Sequence, residues 1–306
     1  MMSDMRTLEG LVVRLQAGFF TVQTEEGLVT CHVRGRLKKG PQWADLVAVG
    51  DRVTISIQMD GSGAIEAVTP RRAVLSRMAA LPRGEYQQIM LANPDQAVFI
   101  FACANPSPHL RMLDRFLVIA EQQHLPAFIV ANKVDLLGKE QAEAIFGHYP
   151  ALGYPVLYTS ARAGLGVDAL RERLLGKISA FSGPSGVGKS SLLNAVQPGL
   201  SLAVSHVSDG TMNKGRHTTV VREMFPLEGG GYVADMPGLR SLALWDTQPE
   251  ELDGYFPELR DLVMKCRFND CTHRTEPGCA VRAAVDAGQV HPERYESYLR
   301  LRYGDE

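Results

Sequence analysis

The sequence is short of several things that would place it in a special class. It has almost no excess charge: 32 Lys and Arg against 34 Asp and Glu leave a net −2 over 306 residues. That excludes a globally basic nucleic-acid coat, so any RNA contact must come from local patches. Long apolar runs are missing, and the longest, residues 97–104, is too short to span a bilayer. No membrane partner is expected. The first residues, Met1 to Thr7, hold no apolar stretch of the kind a secretion signal needs. Cysteine is scarce and odd in number: five, with three between positions 266 and 279. Such a clustered set argues for a metal over disulfides, and a cytoplasmic protein keeps its thiols reduced. What remains is ordinary. With 45% hydrophobic and 22% charged residues the chain has the composition of a globular protein, and its length predicts about two domains, with three possible.

Residues 6–69 alternate short β-branched and aromatic runs (8–15, 19–24, 28–33, 52–57, 64–68) with breaks at Gly18, Gly27, Gly35, Gly50-Asp51 and Gly61-Ser62-Gly63. This pattern predicts a small β-barrel of the OB type over 1–72. Its densest basic cluster is Arg34, Arg36, Lys38 and Lys39, which either touches RNA or is simply solvated. Residues 73–94, with Leu81-Pro82-Arg83-Gly84, read as a linker. From Asp95 apolar strands alternate with helical spacing such as Leu110, Leu113, Leu117 and Ala120, which predicts an α/β domain of doubly wound type over 95–244. Residues 245–306 change character again and read as a mostly helical metal-binding domain. Its last stretch, 292–303, is a predicted helix that either meets RNA or docks on the α/β domain.

Inside the α/β domain, Gly183-Pro184-Ser185-Gly186-Val187-Gly188-Lys189-Ser190 fits G-x-x-x-x-G-K-[ST], between an apolar strand and a helix that continues through Ser191. Backbone N–H groups converge there on phosphate oxygens, helped by the helix N-terminus. Lys189 would reach the β- and γ-phosphates, and the Ser190 hydroxyl would coordinate Mg²⁺. The loop alone implies a nucleoside triphosphate of unspecified base. Asn132-Lys133-Val134-Asp135 supplies the base: a carboxylate at Asp135 accepts from N1–H and the 2-amino group of guanine, while adenine loses both bonds. Asn132 would brace the loop or bond the base, and the Lys133 stem would cover the ring. Thr159-Ser160-Ala161-Arg162 follows another strand, where backbone N–H groups near Ser160 and Ala161 could bond the guanine carbonyl. Downstream, Gly215-Arg216-His217-Thr218-Thr219 lies in an aperiodic polar stretch, and Thr218 is a candidate to complete the Mg²⁺ shell. Asp235-Met236-Pro237-Gly238 fits D-x-x-G, with Asp235 holding Mg²⁺ through water and the Gly238 N–H on the γ-phosphate. The next residue is Leu239, where a water-orienting Gln often stands, so His217 becomes the candidate to position water.

Cys266-x4-Cys271-x-His273-x5-Cys279 offers three thiolates and one imidazole, a set suited to one structural Zn²⁺. The order of the nucleotide motifs is unusual, with the guanine turns first and the phosphate loop third. With a barrel before and a Cys/His cluster after, the chain resembles the RsgA (YjeQ/YloQ) family of circularly permuted GTPases. The resemblance implies a barrel that contacts 16S ribosomal RNA, binding to the 30S subunit during its late maturation, and hydrolysis of GTP to GDP stimulated by that subunit. The family also carries the same cysteine–histidine spacing. A monomer is expected. Two further readings remain compatible with the motifs: an RNA-binding checkpoint whose GTP hydrolysis only times release, and an ATP-dependent phosphate-loop enzyme such as a kinase.

Overall fold

The computed structural model describes residues 6–38, 44–81, 84–200, 222–236 and 247–304. The chain divides into two compact units, Met1–Ala97 with Val167–Ser182 and Lys189–Ala243, and Val98–Gly166 with Gly183–Gly188 and Leu244–Glu306.

The first unit opens on a five-stranded barrel: β1 (Thr7–Gln16), β2 (Phe19–Thr24), β3 (Gly27–Val33), β4 (Arg52–Ile57) and β5 (Gly63–Val68). The strands run in the order β1–β2–β3–β5–β4, and β4 closes on β1. Only the β3–β5 pair is parallel. Period-2 alternation turns Val12, Val22, Cys31, Val53, Ile55 and Ile65 inward to form the core. At the β1–β2 turn Ala17 and Gly18 have φ of 51° and 81°, the mirror-image geometry that matches the twist of a two-residue hairpin. The basic cluster after β3 is partly neutralised. Arg34 and Arg36 share Glu66, each at 2.7 Å.

Residues 73–94, expected to be a linker, instead carry regular structure. They form an antiparallel hairpin of β6 (Val74–Leu81) and β7 (Gly84–Ala92). The pairing runs out to Leu81 opposite Gly84, and Leu75, Ile89 and Leu91 are buried. Asp45 holds the hairpin by accepting from Ile89 N–H at 2.8 Å and from the Tyr86 hydroxyl at 2.9 Å.

The α/β part holds β8 (Gln96–Ala102), β9 (Ala127–Asn132), β10 (Val156–Tyr158), β11 (Ile178–Ser182), β12 (Arg222–Glu223), β13 (Phe225–Pro226) and β14 (Tyr232–Asp235). Its sheet has the order β10–β9–β8–β11–β14–β13. The β9–β10 and β11–β14 pairs are parallel, and the short edge strand β13 is antiparallel. All of β8 is buried, as a central strand covered on both faces requires. The helices are α1 (Leu110–Gln122), α2 (Lys139–Phe146), α3 (Val167–Leu174) and α4 (Lys189–Val196). Strand β12 lies outside this sheet and pairs with β1 of the barrel, Arg14 opposite Glu223 and Leu15 opposite Arg222.

The C-terminal segment is helical, with a 3-10 turn (Pro249–Tyr255), α5 (Pro257–Val263), α6 (Ala280–Asp286) and α7 (Pro292–Tyr303). Its core of Leu252, Phe256, Leu259, Val281, Ala284 and Tyr298 includes Val118 from α1. So α7 docks on the α/β part. Arg294 donates to Asp114 at 2.8 Å and to Glu258 at 2.7 Å, and the Ser297 hydroxyl donates to Asp114. No described helix is long and apolar enough to cross a membrane.

Candidate functional site

In the second unit the guanine turns and the phosphate loop are joined by one side chain. Asn132, at the end of β9, is 1% exposed. Its Nδ2 donates to the Val187 carbonyl at 2.9 Å. Its Oδ1 accepts from the Thr159 hydroxyl at 3.1 Å and from Ala161 N–H at 3.4 Å. The carboxamide therefore serves as a brace. Lys133 stands in the left-handed region, φ 62°, which turns its stem across the loop. Its ammonium donates to the carbonyls of Gly186, at 2.7 Å, and Asn105. Asp135 follows in a short 3-10 turn with its side chain exposed, open to a base. Ser160 is fully buried and its hydroxyl accepts from Ala163 N–H at 3.1 Å, which closes the second turn.

The phosphate loop has the backbone that its glycines permit. Gly186 and Gly188 have φ of 79° and 91°. A Cβ on Gly188 would lie 2.6 Å from Asn132 Nδ2, and one on Gly183 would collide with the Ile100 carbonyl. Only glycine fits at either position. Val187 is buried while Ser185, Gly186, Ser190 and Ser191 are exposed, so the turn is anchored from beneath and its rim faces outward. Lys189 and Ser190 begin α4. Pro184 is buried. In the first unit Asp235 ends β14 opposite Phe181 of β11, and Met236 N–H donates to the Phe181 carbonyl at 2.9 Å. The loop from Gly183 through Gly188 has the geometry of a nest of backbone N–H groups, which suits phosphate oxygens. His217, Thr218 and Gly238 lie outside the described residues.

In the C-terminal segment Cys266, Cys271, His273 and Cys279 offer ligand atoms within 4.8 Å of one another. His273 is fully buried, and Cys271 and Cys279 are 7% and 5% exposed. Burial raises the Cys271 thiol above the ordinary cysteine range, so a thiolate there needs a cation in place of its proton. Three sulfurs and one imidazole in a dry site fit one Zn²⁺ with no open position. Glu276 shapes the ligand turn. It accepts from the Thr272 hydroxyl and from the N–H groups of Thr272, Arg274 and Thr275 at 2.9–3.0 Å.

Comparison with known proteins decides the family. The RsgA GTPase model matches residues 68–245, and the RsgA N-terminal domain model matches 9–65. The chain belongs to the RsgA GTPase family. It is a GTP hydrolase with an N-terminal barrel, a central GTPase domain with permuted motifs and a C-terminal helical region. It is 50% identical over 297 residues to the small ribosomal subunit biogenesis GTPase RsgA of Gemmatimonas aurantiaca, covering 96% of each chain. The relative of the same name from Moorella thermoacetica is 43% identical over 95% of each. Among solved structures, YjeQ from Thermotoga maritima is 36% identical at a TM-score of 0.78, covering 98% of both chains. YloQ, described as a circularly permuted GTPase, is 29% identical at 0.73, covering 99% of this chain and 96% of its own.

Several supports of this RsgA site escape sequence reading. Asn105, whose carbonyl holds Lys133, sits in a loop with no motif. Asp114 accepts from three donors, the Tyr149 hydroxyl and the Arg294 guanidinium on one oxygen, each at 2.8 Å, and the Ser297 hydroxyl on the other at 2.5 Å. A polar residue amid the apolar face of α1 was the available signal. Cys31 and Cys103 are core residues, 1% and 2% exposed, and burial pushes both thiols up to about 11.

Proposed function

We propose that the chain is a small ribosomal subunit biogenesis GTPase that binds the 30S subunit and its 16S RNA late in maturation, and that this binding accelerates its hydrolysis of GTP to GDP. It works in the cytoplasm as a monomer. Three domains divide the labour: a barrel over 1–72 against RNA, with 73–94 following it; the GTPase over 95–244; and the zinc-bearing segment over 245–306. The observation that carries the reading is the Asn132 carboxamide, which ties the phosphate loop at Val187 to both base-reading turns at Thr159 and Ala161. A phosphate-loop enzyme indifferent to the base has no need of that brace.

In this reading Asp135 takes the two donor edges of guanine, and Lys133 holds its turn over the base. Ser160 and Ala161 set the turn beside the carbonyl. The loop from Gly183 through Gly188 cradles the phosphates, Lys189 neutralises them, and Ser190 and Ser191 open the helix beneath. A bound Mg²⁺ supplies charge neutralisation at the γ-phosphate, with Ser190, Thr218 and Asp235 as its protein partners. Asp235 and Gly238 report whether the γ-phosphate is present. Leu239 has no group to bond water, so unstimulated hydrolysis is slow and His217 orients the water once the subunit is bound. Cys266, Cys271, His273 and Cys279 hold one Zn²⁺.

The test is GTP turnover with and without purified 30S subunits. The reading expects slow turnover alone, a large stimulation by 30S, and no competition by ATP. Equal rates with and without the subunit would overturn it. His217→Ala is expected to lose the stimulated rate while keeping GTP affinity, and wild-type stimulation would remove His217 from the mechanism.

A further inference from the structure

The metal ligands leave one question of chemistry open, which is the nitrogen that His273 offers. A neutral imidazole has one lone-pair nitrogen and one N–H. His273 Nδ1 lies 3.4 Å from Cys279 Sγ and 3.5 Å from Cys266 Sγ, so Nδ1 faces the sulfurs. Nε2 faces away, 3.4 Å from Asp253 Oδ2. Asp253 belongs to the 3-10 turn Pro249–Tyr255, thirteen positions before the first cysteine and outside the cysteine–histidine spacing. Its side chain is only 15% exposed, and Arg302 of α7 stands 3.8 Å from the same oxygen. Arg302 is held in turn by a 2.7 Å hydrogen bond to the Tyr298 hydroxyl.

The backbone of His273 is fixed as well. Its φ is 61°, in the left-handed region. The Tyr295 hydroxyl donates to its carbonyl at 2.5 Å, and the Tyr298 hydroxyl donates to the Thr272 carbonyl at 3.4 Å. With the main chain held, the remaining freedom is rotation of the ring and the choice of tautomer. A carboxylate accepts and never donates, so it selects the tautomer protonated at Nε2 and leaves the Nδ1 lone pair toward the sulfurs.

We propose that Asp253 is the orienting carboxylate of the metal centre: by accepting from Nε2–H it fixes the tautomer and ring angle through which His273 presents Nδ1 as the fourth ligand. It is a positioning residue, and its role rests on the reading that these four residues hold Zn²⁺. Outer-shell carboxylates of this kind raise ligand basicity and affect metal affinity by about 10–100-fold. Asp253 also lies on the stretch that joins the GTPase part to the ligand cluster, so the fourth ligand is aligned by a residue from outside the cluster.

The experiment uses the full chain loaded with one equivalent of Zn²⁺. Zinc affinity is measured by competition with a chromogenic chelator for the wild type, Asp253→Ala and Asp253→Asn. The ring nitrogens of His273 are assigned by long-range proton–nitrogen NMR. The expected results are a metal-bound Nδ1 with a proton on Nε2 in the wild type, and an affinity loss of about 10–100-fold for Asp253→Ala. The isosteric Asp253→Asn, which keeps an acceptor but loses the charge, should fall between the two. Helical circular dichroism and GDP binding check that the variants are folded. If Asp253→Ala fails to fold, the wild-type tautomer and Asp253→Asn decide the matter. A metal-bound Nε2, or a folded Asp253→Ala with wild-type zinc affinity, overturns the proposal while the zinc site stands. A wild-type chain that takes up no zinc overturns the metal reading itself.

Discussion

Asp135 and Gly188 carry different kinds of necessity. Asp135 matters through the donors it accepts, so Asp135→Asn should lower GTP affinity by at least about 100-fold, because an amide repels one of the guanine donors. The same change should admit xanthosine triphosphate, whose 2-oxo group accepts from the new amide. Competition against a fluorescent GDP analogue reads both effects. Gly188 matters through the atom it lacks. Its φ is 91° and an added Cβ would sit 2.6 Å from Asn132 Nδ2. Gly188→Ala should therefore push the brace off Val187, lower stability by about 1–3 kcal/mol and weaken GDP binding, as measured by thermal unfolding with and without the nucleotide. Both residues were legible in the sequence because phosphate and guanine recognition fix residue type and spacing over a few adjacent positions. Asp253 and Asn105 were not. Each acts through one contact to a residue distant in the chain, and a carboxylate or a backbone carbonyl has no spacing that marks it.

Among the elements, α7 shows how a charged sequence becomes a buried one. Arg294 is 1% exposed, and it lies between Asp114 and Glu258 with the Phe256 ring 4.6 Å away. Replacing it by an apolar residue leaves two carboxylates in the interior without their cation. Arg294→Met should cost about 3–5 kcal/mol in urea unfolding. The helix was readable from its composition. Its docking was not, because an Arg- and Glu-rich face looks solvated until the partner carboxylate on α1 is known. The same junction predicts a dependence on pH. His148 stacks on His291 with ring centroids 4.2 Å apart. Burial pushes His148 down to about 4, with His291 and Arg294 adding to the effect and Glu258 opposing it. The unfolded chain binds that proton more readily, so this contribution is full above about 6.5 and is lost as pH falls toward 4. Thermal unfolding should show a decline over that window, and His148→Phe should flatten it. The β6–β7 hairpin was missed for a related reason. The composition of Leu81-Pro82-Arg83-Gly84 resembles a linker, and the buried strand residues become apparent only with Asp45 and Ala48 beside them.

At the scale of the whole molecule, sequence order and folding order part company. The nucleotide motifs are split by the permutation, and their strands still share one sheet. The barrel shows the same from the other side. Strand β12 lies some 150 residues after the last barrel strand, yet it pairs with β1, and Arg222 donates to the Ile89 carbonyl at 2.7 Å while facing Asp45 at 3.4 Å. The first 72 residues are thus not a cassette. A chain beginning at residue 73 would lose β1 and Asp45 together, leaving the half-buried guanidinium of Arg222 without its carboxylate and one face of the hairpin bare. Such a truncation should melt well below the full chain and aggregate through the uncovered strands, as light scattering during a thermal ramp would show. Exchanging barrels between relatives would accordingly need Arg222 and Glu223 to travel with the graft, so that an apparent module is inherited in two pieces.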